Sequence, residues 1–146
     1  MSRAGKTQPG RLVPVQDDPV TGGFWEAARR RELAVCACRD CGSVLHMPRG
    51  RCRDCGSWNV GWRTLSGRGR LYSWTTVEHQ VHPAYPTPYT LVLVEPEDAP
   101  TARLVGSLPG RPDLVAGQPM RVWFEKVAEG VLLPQWAPEA GARVSA

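Results

Sequence analysis

The stretch Cys38-Arg39-Asp40-Cys41-Gly42-Ser43 recurs residue for residue as Cys52-Arg53-Asp54-Cys55-Gly56-Ser57, giving the pattern C-x2-C-G-x9-C-x2-C-G. Two residues between thiolates let one tight turn present both sulfurs to a single metal. The Gly that follows can take the positive φ that closes such a turn. Backbone N–H groups in the knuckle can then point at the sulfurs and offset their charge. Two facing knuckles make a tetrahedral site from Cys38, Cys41, Cys52 and Cys55, and a closed four-ligand shell is structural rather than catalytic. Zinc fits because nothing in the sequence points to redox work, although a rubredoxin-like iron centre uses the same sulfur geometry. In so short a segment the metal supplies most of the folding energy, since structural zinc is worth roughly 10–16 kcal/mol in small domains.

The chain holds five cysteines, an odd number. Paired Cys-x-x-Cys units in a reducing compartment signify metal binding or redox chemistry rather than a disulfide framework. Cys36 is the one left over. It could replace Cys38 only by widening the first pair, so we read it as a small buried residue on the strand entering the first knuckle.

On the C-terminal side of the second knuckle the pattern turns to short alternating apolar runs separated by turn residues. Strands are expected at 69–78, 89–95, 102–108, 120–127 and 131–136. Five strands in so short a span suit a small closed barrel; an OB-fold is the commonest five-stranded solution, and an SH3-like barrel fits the count almost as well. On the N-terminal side, 21–33 reads as a short helix with Phe24, Ala28 and Trp25 on one face and Glu26 placed to pair with Arg30. A helix that short must dock on something to persist. The expected organisation is a flexible tail over 1–20, a docking helix over 21–33, a zinc ribbon over 34–62, a barrel over 63–138 and a C-terminal tail over 139–146. The fold class is mainly β.

With 146 residues, 42% hydrophobic and 22% charged, the chain has the balance of a globular protein. Apolar runs such as Leu91-Val92-Leu93-Val94 are too short to span a bilayer, and the polar start resembles no secretory leader, so the expected compartment is the cytoplasm. Residues 19–71 hold ten cations against four acids, whereas residues 72–146 hold five against eight. The positive charge is therefore local, which suits contact with a nucleic-acid backbone, a phosphorylated small ligand, or solvent alone.

Several further residues carry a family likeness. Phe24-Trp25 opens the helix, Leu33 leads into Cys38-x-x-Cys41-Gly42, and Pro48-Arg49 precedes Cys52-x-x-Cys55-Gly56. Ser66-Gly67-x-Gly69, Tyr72-Ser73, Pro88-Tyr89 with Val92 and Val94, Gly117-x-Pro119-x-x-Val122 and Leu133-Pro134-x-Trp136-x-Pro138 follow in order. In this combination the chain resembles the zinc-ribbon plus OB-fold acyl-CoA-associated proteins, over 21–138. Arg53 departs from the Pro that this family usually carries after the third cysteine. The resemblance implies a rubredoxin-like zinc ribbon followed by an OB-fold barrel. It also implies an accessory role beside a thiolase-like enzyme, where the barrel helps hold or pass an acyl-CoA at the partner's active site. The enzyme would be a thiolase, an acyltransferase or a thiolase-like aldolase, the last including aldolases of steroid side-chain degradation.

An acyl-CoA is a polyanion with an apolar arm, so its site needs cations and apolar surface. Arg49, Arg51, Arg63, Arg68 and Arg70 cluster in sequence around the ribbon–barrel junction, and arginine forks onto phosphate oxygens. The loop His79-Gln80-Val81-His82-Pro83-Ala84-Tyr85-Pro86 joins the first two barrel strands, where OB-folds often grip ligands; His82 and Tyr85 are its candidates. Phe24 and Trp25 are the candidate partner interface, His46 is expected at the surface, and Trp58 and Trp62 are expected to cover the metal. No residue is assigned a catalytic role: the sequence has no G-x-S-x-G elbow or complete phosphate loop, so any nucleophile is expected on the partner.

A single-stranded nucleic-acid-binding module is the alternative, because ribbons and OB barrels both serve that purpose. Such binders stack bases on aromatics along the middle strands, but Thr90-Leu91-Val92-Leu93-Val94 and Ala102-Arg103-Leu104-Val105-Gly106-Ser107 offer one Arg and no aromatic ring. The acidic balance of the barrel half also makes a poor groove for phosphates.

Overall fold

The computed structural model describes residues 10–140; the remainder of the two expected tails lies outside them. Among the described residues one helix, α1 (Gly22–Arg29), precedes seven strands: β1 (Leu33–Cys38), β2 (Val60–Leu65), β3 (Arg68–Val77), β4 (Tyr89–Pro96), β5 (Leu104–Pro109), β6 (Pro119–Ala128) and β7 (Val131–Pro138). Among the described residues no helix is long and apolar enough to cross a membrane.

The helix is shorter than the expected span because Arg31 takes a left-handed conformation, φ 59°, just past its end. Arg31 N–H donates to Ala28 O and Glu32 N–H reaches back to Ala27 O, which closes the last turn and frees Leu33 to begin a strand. The Glu26–Arg30 pair forms at 3.6 Å.

β1 and β2 form an antiparallel hairpin from Leu33↔Leu65 to Cys38↔Val60, with the knuckles at its far end. Every residue of β1 is buried. Side chains alternate across a strand, so Leu33 and Val35 enter the barrel core while Cys36 and Cys38 enter a smaller cluster with Leu45 and Cys52. One strand thus divides two cores, and ribbon and barrel are welded rather than tethered.

The other five strands form an antiparallel sheet in the order β5-β4-β3-β6-β7. β3 is shared: it pairs with β6 over Arg68–Arg70 and with β4 over Gly69–Val77, bending at a register shift beside Tyr72. The end strands β5 and β7 meet outside the strand ladder, with Ser107 N–H donating to the Gln135 side-chain Oε1 at 2.8 Å. This is the closed, five-stranded arrangement of an OB barrel. Its interior is filled by Leu71, Val92, Val94, Met120 and Trp136, each at most 1% exposed. Burying such a side chain is worth about 1.5–3 kcal/mol. The five expected barrel strands all form, with ends shifted by one or two residues. Ala102, expected in a strand, is instead a buried turn residue whose N–H bonds Ala99 O.

Candidate functional site

The two knuckles fold as near copies. Cys38 N–H donates to Ser43 O and Gly42 N–H to Cys38 O; in the second copy Cys52 N–H donates to Ser57 O and Gly56 N–H to Cys52 O. Gly42 and Gly56 sit at φ 76° and 75°, the left-handed region that a side chain would strain. All four sulfurs lie within 4.8 Å of one another, with Cys38–Cys55 and Cys41–Cys52 each at 3.6 Å. Tetrahedral zinc at about 2.3 Å from each sulfur requires S···S separations of about 3.8 Å, so the donor set fits the ion. Cys38 and Cys52 are buried and Cys41 and Cys55 exposed.

The electrostatics of the bare thiols also call for a cation. The Ser43 hydroxyl, followed by the Ser43 N–H, draws the Cys41 thiol down to about 6. Cys55 feels the Ser57 N–H pulling it down, yet burial and the three neighbouring thiols outweigh that and push it up to about 12. Four sulfurs this close cannot all ionise without a counter-charge, which a divalent ion supplies. When bound, the metal would tie the knuckles together through Cys38, Cys41, Cys52 and Cys55.

The knuckles are further laced by Asp40. Its carboxylate accepts bonds from the Ser57 hydroxyl and from Asn59 Nδ2 at 2.7 Å, and the Ser57 bond is the main cause of its lowered pKa. Trp62 packs against the Cys36–Cys38–Cys52 cluster as expected. Trp58 is 74% exposed and stacks beside Arg51 at 5.2 Å. Cys36 is buried on β1 outside the four-sulfur group, its thiol directed at Arg49 O, 3.8 Å away. His46, expected at the surface, is half-buried: burial lowers its pKa, opposed by a bond to the Arg103 backbone.

The sequence candidates for a ligand fall into two groups. Arg68 and Arg70 flank Glu97 at 3.3 and 3.9 Å, and Arg63 donates to Asp98 O at 3.0 Å, so these three gather on the turn after β4. Arg49 is exposed in the ribbon loop. His82 and Tyr85 touch each other, ring centroids 5.7 Å apart, in the loop after β3. Arg70 and Val77 stand seven positions apart on β3, a span of at most about 23 Å at 3.3 Å per residue. Phe24 packs on the barrel core and meets Trp25 edge to face at 4.8 Å, so α1 docks on its own chain and leaves both rings partly exposed.

Sequence reasoning missed Arg11. It lies 5.3 Å from the Tyr85 ring centroid and pairs with Glu125, whose other oxygen accepts from Gln135 Nε2 at 2.9 Å. Residues from the expected tail thereby touch the barrel next to the β3–β4 loop. A lone cation in a Pro- and Gln-rich stretch carries no periodic signal that could have revealed this.

Fold and site together define a zinc-ribbon protein whose ribbon is fused to an OB barrel. The chain belongs to the ChsH2 family: residues 25–60 match its rubredoxin-like zinc ribbon domain and residues 62–125 its C-terminal OB-fold domain. It is 37% identical over 119 residues to a "Probable enoyl-CoA hydratase alpha subunit" of Thermomonospora curvata; the match takes in 79% of this chain and 36% of that protein. The chain thus spans about a third of the length of this curated relative. Its fold superposes on a chain of the "Ltp2-ChsH2(DUF35) aldolase" with a TM-score of 0.77 and 28% identity, covering 86% of this chain and 98% of that one. A DUF35 family protein of unknown function from Sulfolobus solfataricus shares the fold at 13% identity and a TM-score of 0.54, over 71% of this chain and 77% of that one.

Proposed function

We propose that this chain is an accessory subunit of a thiolase-fold enzyme, non-catalytic alone, that helps hold an acyl-CoA at its partner's active site. One observation carries the reading: the likeness to a chain of the Ltp2-ChsH2(DUF35) aldolase runs over 98% of that chain. The aldolase favours a thiolase-like lyase among the possible partners, ahead of a thiolase or acyltransferase, with a steroid side chain among the candidate acyl groups. The cytoplasm is the compartment this role implies.

The zinc supplies rigidity here and no step of the reaction. Arg63, Arg68 and Arg70 would meet the phosphates by exchanging contacts with Glu97 and Asp98 for contacts with the ligand; exposed pairs of this kind hold each other by about 0–1 kcal/mol. Arg49 would add a further cation, and His82 and Tyr85 would contact the other end of an extended ligand. Phe24 and Trp25 present the aromatic edge we assign to the partner interface.

Co-expression with a thiolase-fold partner, followed by co-purification and an acyl-CoA cleavage assay, tests the proposal. The complex is expected to be active and this chain alone inactive; full activity from this chain alone would overturn it. Reversing Arg68 and Arg70 to Glu is expected to weaken acyl-CoA binding by the complex about tenfold, in line with losing two phosphate contacts. Tight binding of single-stranded oligonucleotides by the chain would favour the nucleic-acid alternative.

A further inference from the structure

Where α1, the β1–β2 hairpin and the barrel meet lies a cavity of about 160 Å³. Phe24 and Trp25 line it from α1, Ala34 and Cys36 from β1, Trp62 from β2 and Leu104 from β5. It sits at the seam of the two cores: Leu104 belongs to the barrel cluster, whereas Cys36 belongs to the ribbon cluster. Ala34, Cys36 and Leu104 are each at most 9% exposed, so the floor of the cavity is the interior of the protein.

The Thr21 hydroxyl and the Cys36 thiol on its wall are already committed. The Thr21 hydroxyl donates to Asp18 Oδ1 at 3.1 Å, and the Cys36 thiol is directed at Arg49 O. His46 reaches the wall as a half-buried imidazole, and burial disfavours its charged form. Among the described residues nothing carrying a permanent charge lines the space, so an uncharged group suits it. An apolar cavity of about 150 Å³ lined by aliphatic and aromatic side chains stays dry and binds benzene or xenon. Small-molecule sites favour such apolar, aromatic-lined hollows between structural units, yet whole ligands need about 300–1,000 Å³. This one therefore suits only part of a ligand.

We propose that the cavity is a binding site for one uncharged hydrocarbon group of benzene size, a ring or short alkyl end carried by a small-molecule ligand. A freely diffusing group can thread down to a floor built of core residues, whereas a side chain fixed on a partner's surface meets the Phe24–Trp25 rim first. The inference does not rest on the acyl-CoA reading, because it concerns the chain by itself; it shares Phe24 and Trp25 with the partner edge and none of the residues assigned to the acyl-CoA.

The test uses the zinc-loaded chain alone. Benzene titrated against thermal unfolding is expected to raise Tm saturably, by about 3–6 °C when the site is filled at tenfold excess over Kd. A crystal under xenon pressure is expected to show one atom between Trp25, Ala34 and Trp62. Ala34→Leu, which fills the space, is expected to abolish both signals, and the milder Ala34→Val to weaken benzene binding if the larger change disturbs folding. A wild-type chain without saturable binding or xenon density would overturn the proposal, as would equal benzene binding by Ala34→Leu. Displacement of benzene by a thiolase-fold partner with no acyl ligand present would assign the cavity to a protein side chain and overturn it too.

Discussion

Gly106 on β5 lies so close to Trp136 on β7 that a Cβ added there would stand 2.9 Å from the Trp136 backbone nitrogen. Trp136 is the largest wholly buried side chain of the barrel core, and this approach, together with the Ser107–Gln135 bond, closes the barrel. Gly106→Ala must push β5 off β7 or displace the indole. Overpacking of this kind costs about 1–3 kcal/mol. The urea midpoint is expected to fall accordingly while the zinc content stays unchanged, because the ribbon core is separate from this contact.

Removing the metal is expected to act the other way round, on the ribbon first. With the four sulfurs within 4.8 Å and two of them buried, the small Cys36–Leu45–Trp62 cluster and the Asp40 hydrogen bonds are left to hold the knuckles once the ion is gone. Purified protein should contain one zinc per chain by elemental analysis. A strong chelator should remove amide protection from residues 38–60 before β3–β7, because structural zinc is worth roughly 10–16 kcal/mol and the barrel keeps its own core. Cys52→Ser should reproduce this without chelator. A near-stoichiometric iron content and a coloured protein would replace zinc by iron at the same site.

Asp40 and Asp54 occupy the same place in the two copies of the repeat but do different work. Asp40 ties its knuckle to Ser57 and Asn59 on the other, whereas Asp54 among the described residues pairs with its neighbour Arg53, at 3.6 Å with both side chains about half exposed. Asp40→Ala is expected to lower Tm and to speed zinc loss to a chelator. Asp54→Ala should change neither, within the scatter typical of exposed ion pairs.

That asymmetry marks the boundary of what could be read in the sequence. The metal site was legible because ligand spacing is a local property: two residues between thiolates and a following glycine suffice to place four sulfurs. β4, β5 and the first half of β3 were legible because they bury alternate residues. The role of β1 was not, since Leu33-Ala34-Val35-Cys36-Ala37-Cys38 is apolar throughout and only tertiary packing assigns its two faces to two cores. Nor was the helix end, because Arg31 adopts the left-handed turn that a glycine would have advertised. Contiguity in sequence marked the arginines and the His82–Tyr85 loop as two candidate groups but not their separation, which β3 sets by running from one towards the other.

His46 makes stability depend on pH in a window where the carboxylates are silent. Burial is the main cause of its lowered pKa, and the bond to the Arg103 backbone only partly offsets it. A histidine whose folded value lies below its unfolded value of 6.5 binds fewer protons in the native state. Its contribution is therefore fully present above about pH 6.5 and is lost as the pH falls through that value towards the folded one. Wild-type protein should show a lower urea midpoint at pH 5.5 than at pH 7.5. His46→Phe keeps the flat ring against the apolar wall but removes the proton-binding site, so its midpoint should change less over the same interval. An equal fall in both proteins would assign the acid sensitivity to protonation of the cysteine ligands, and zinc release measured alongside would follow it.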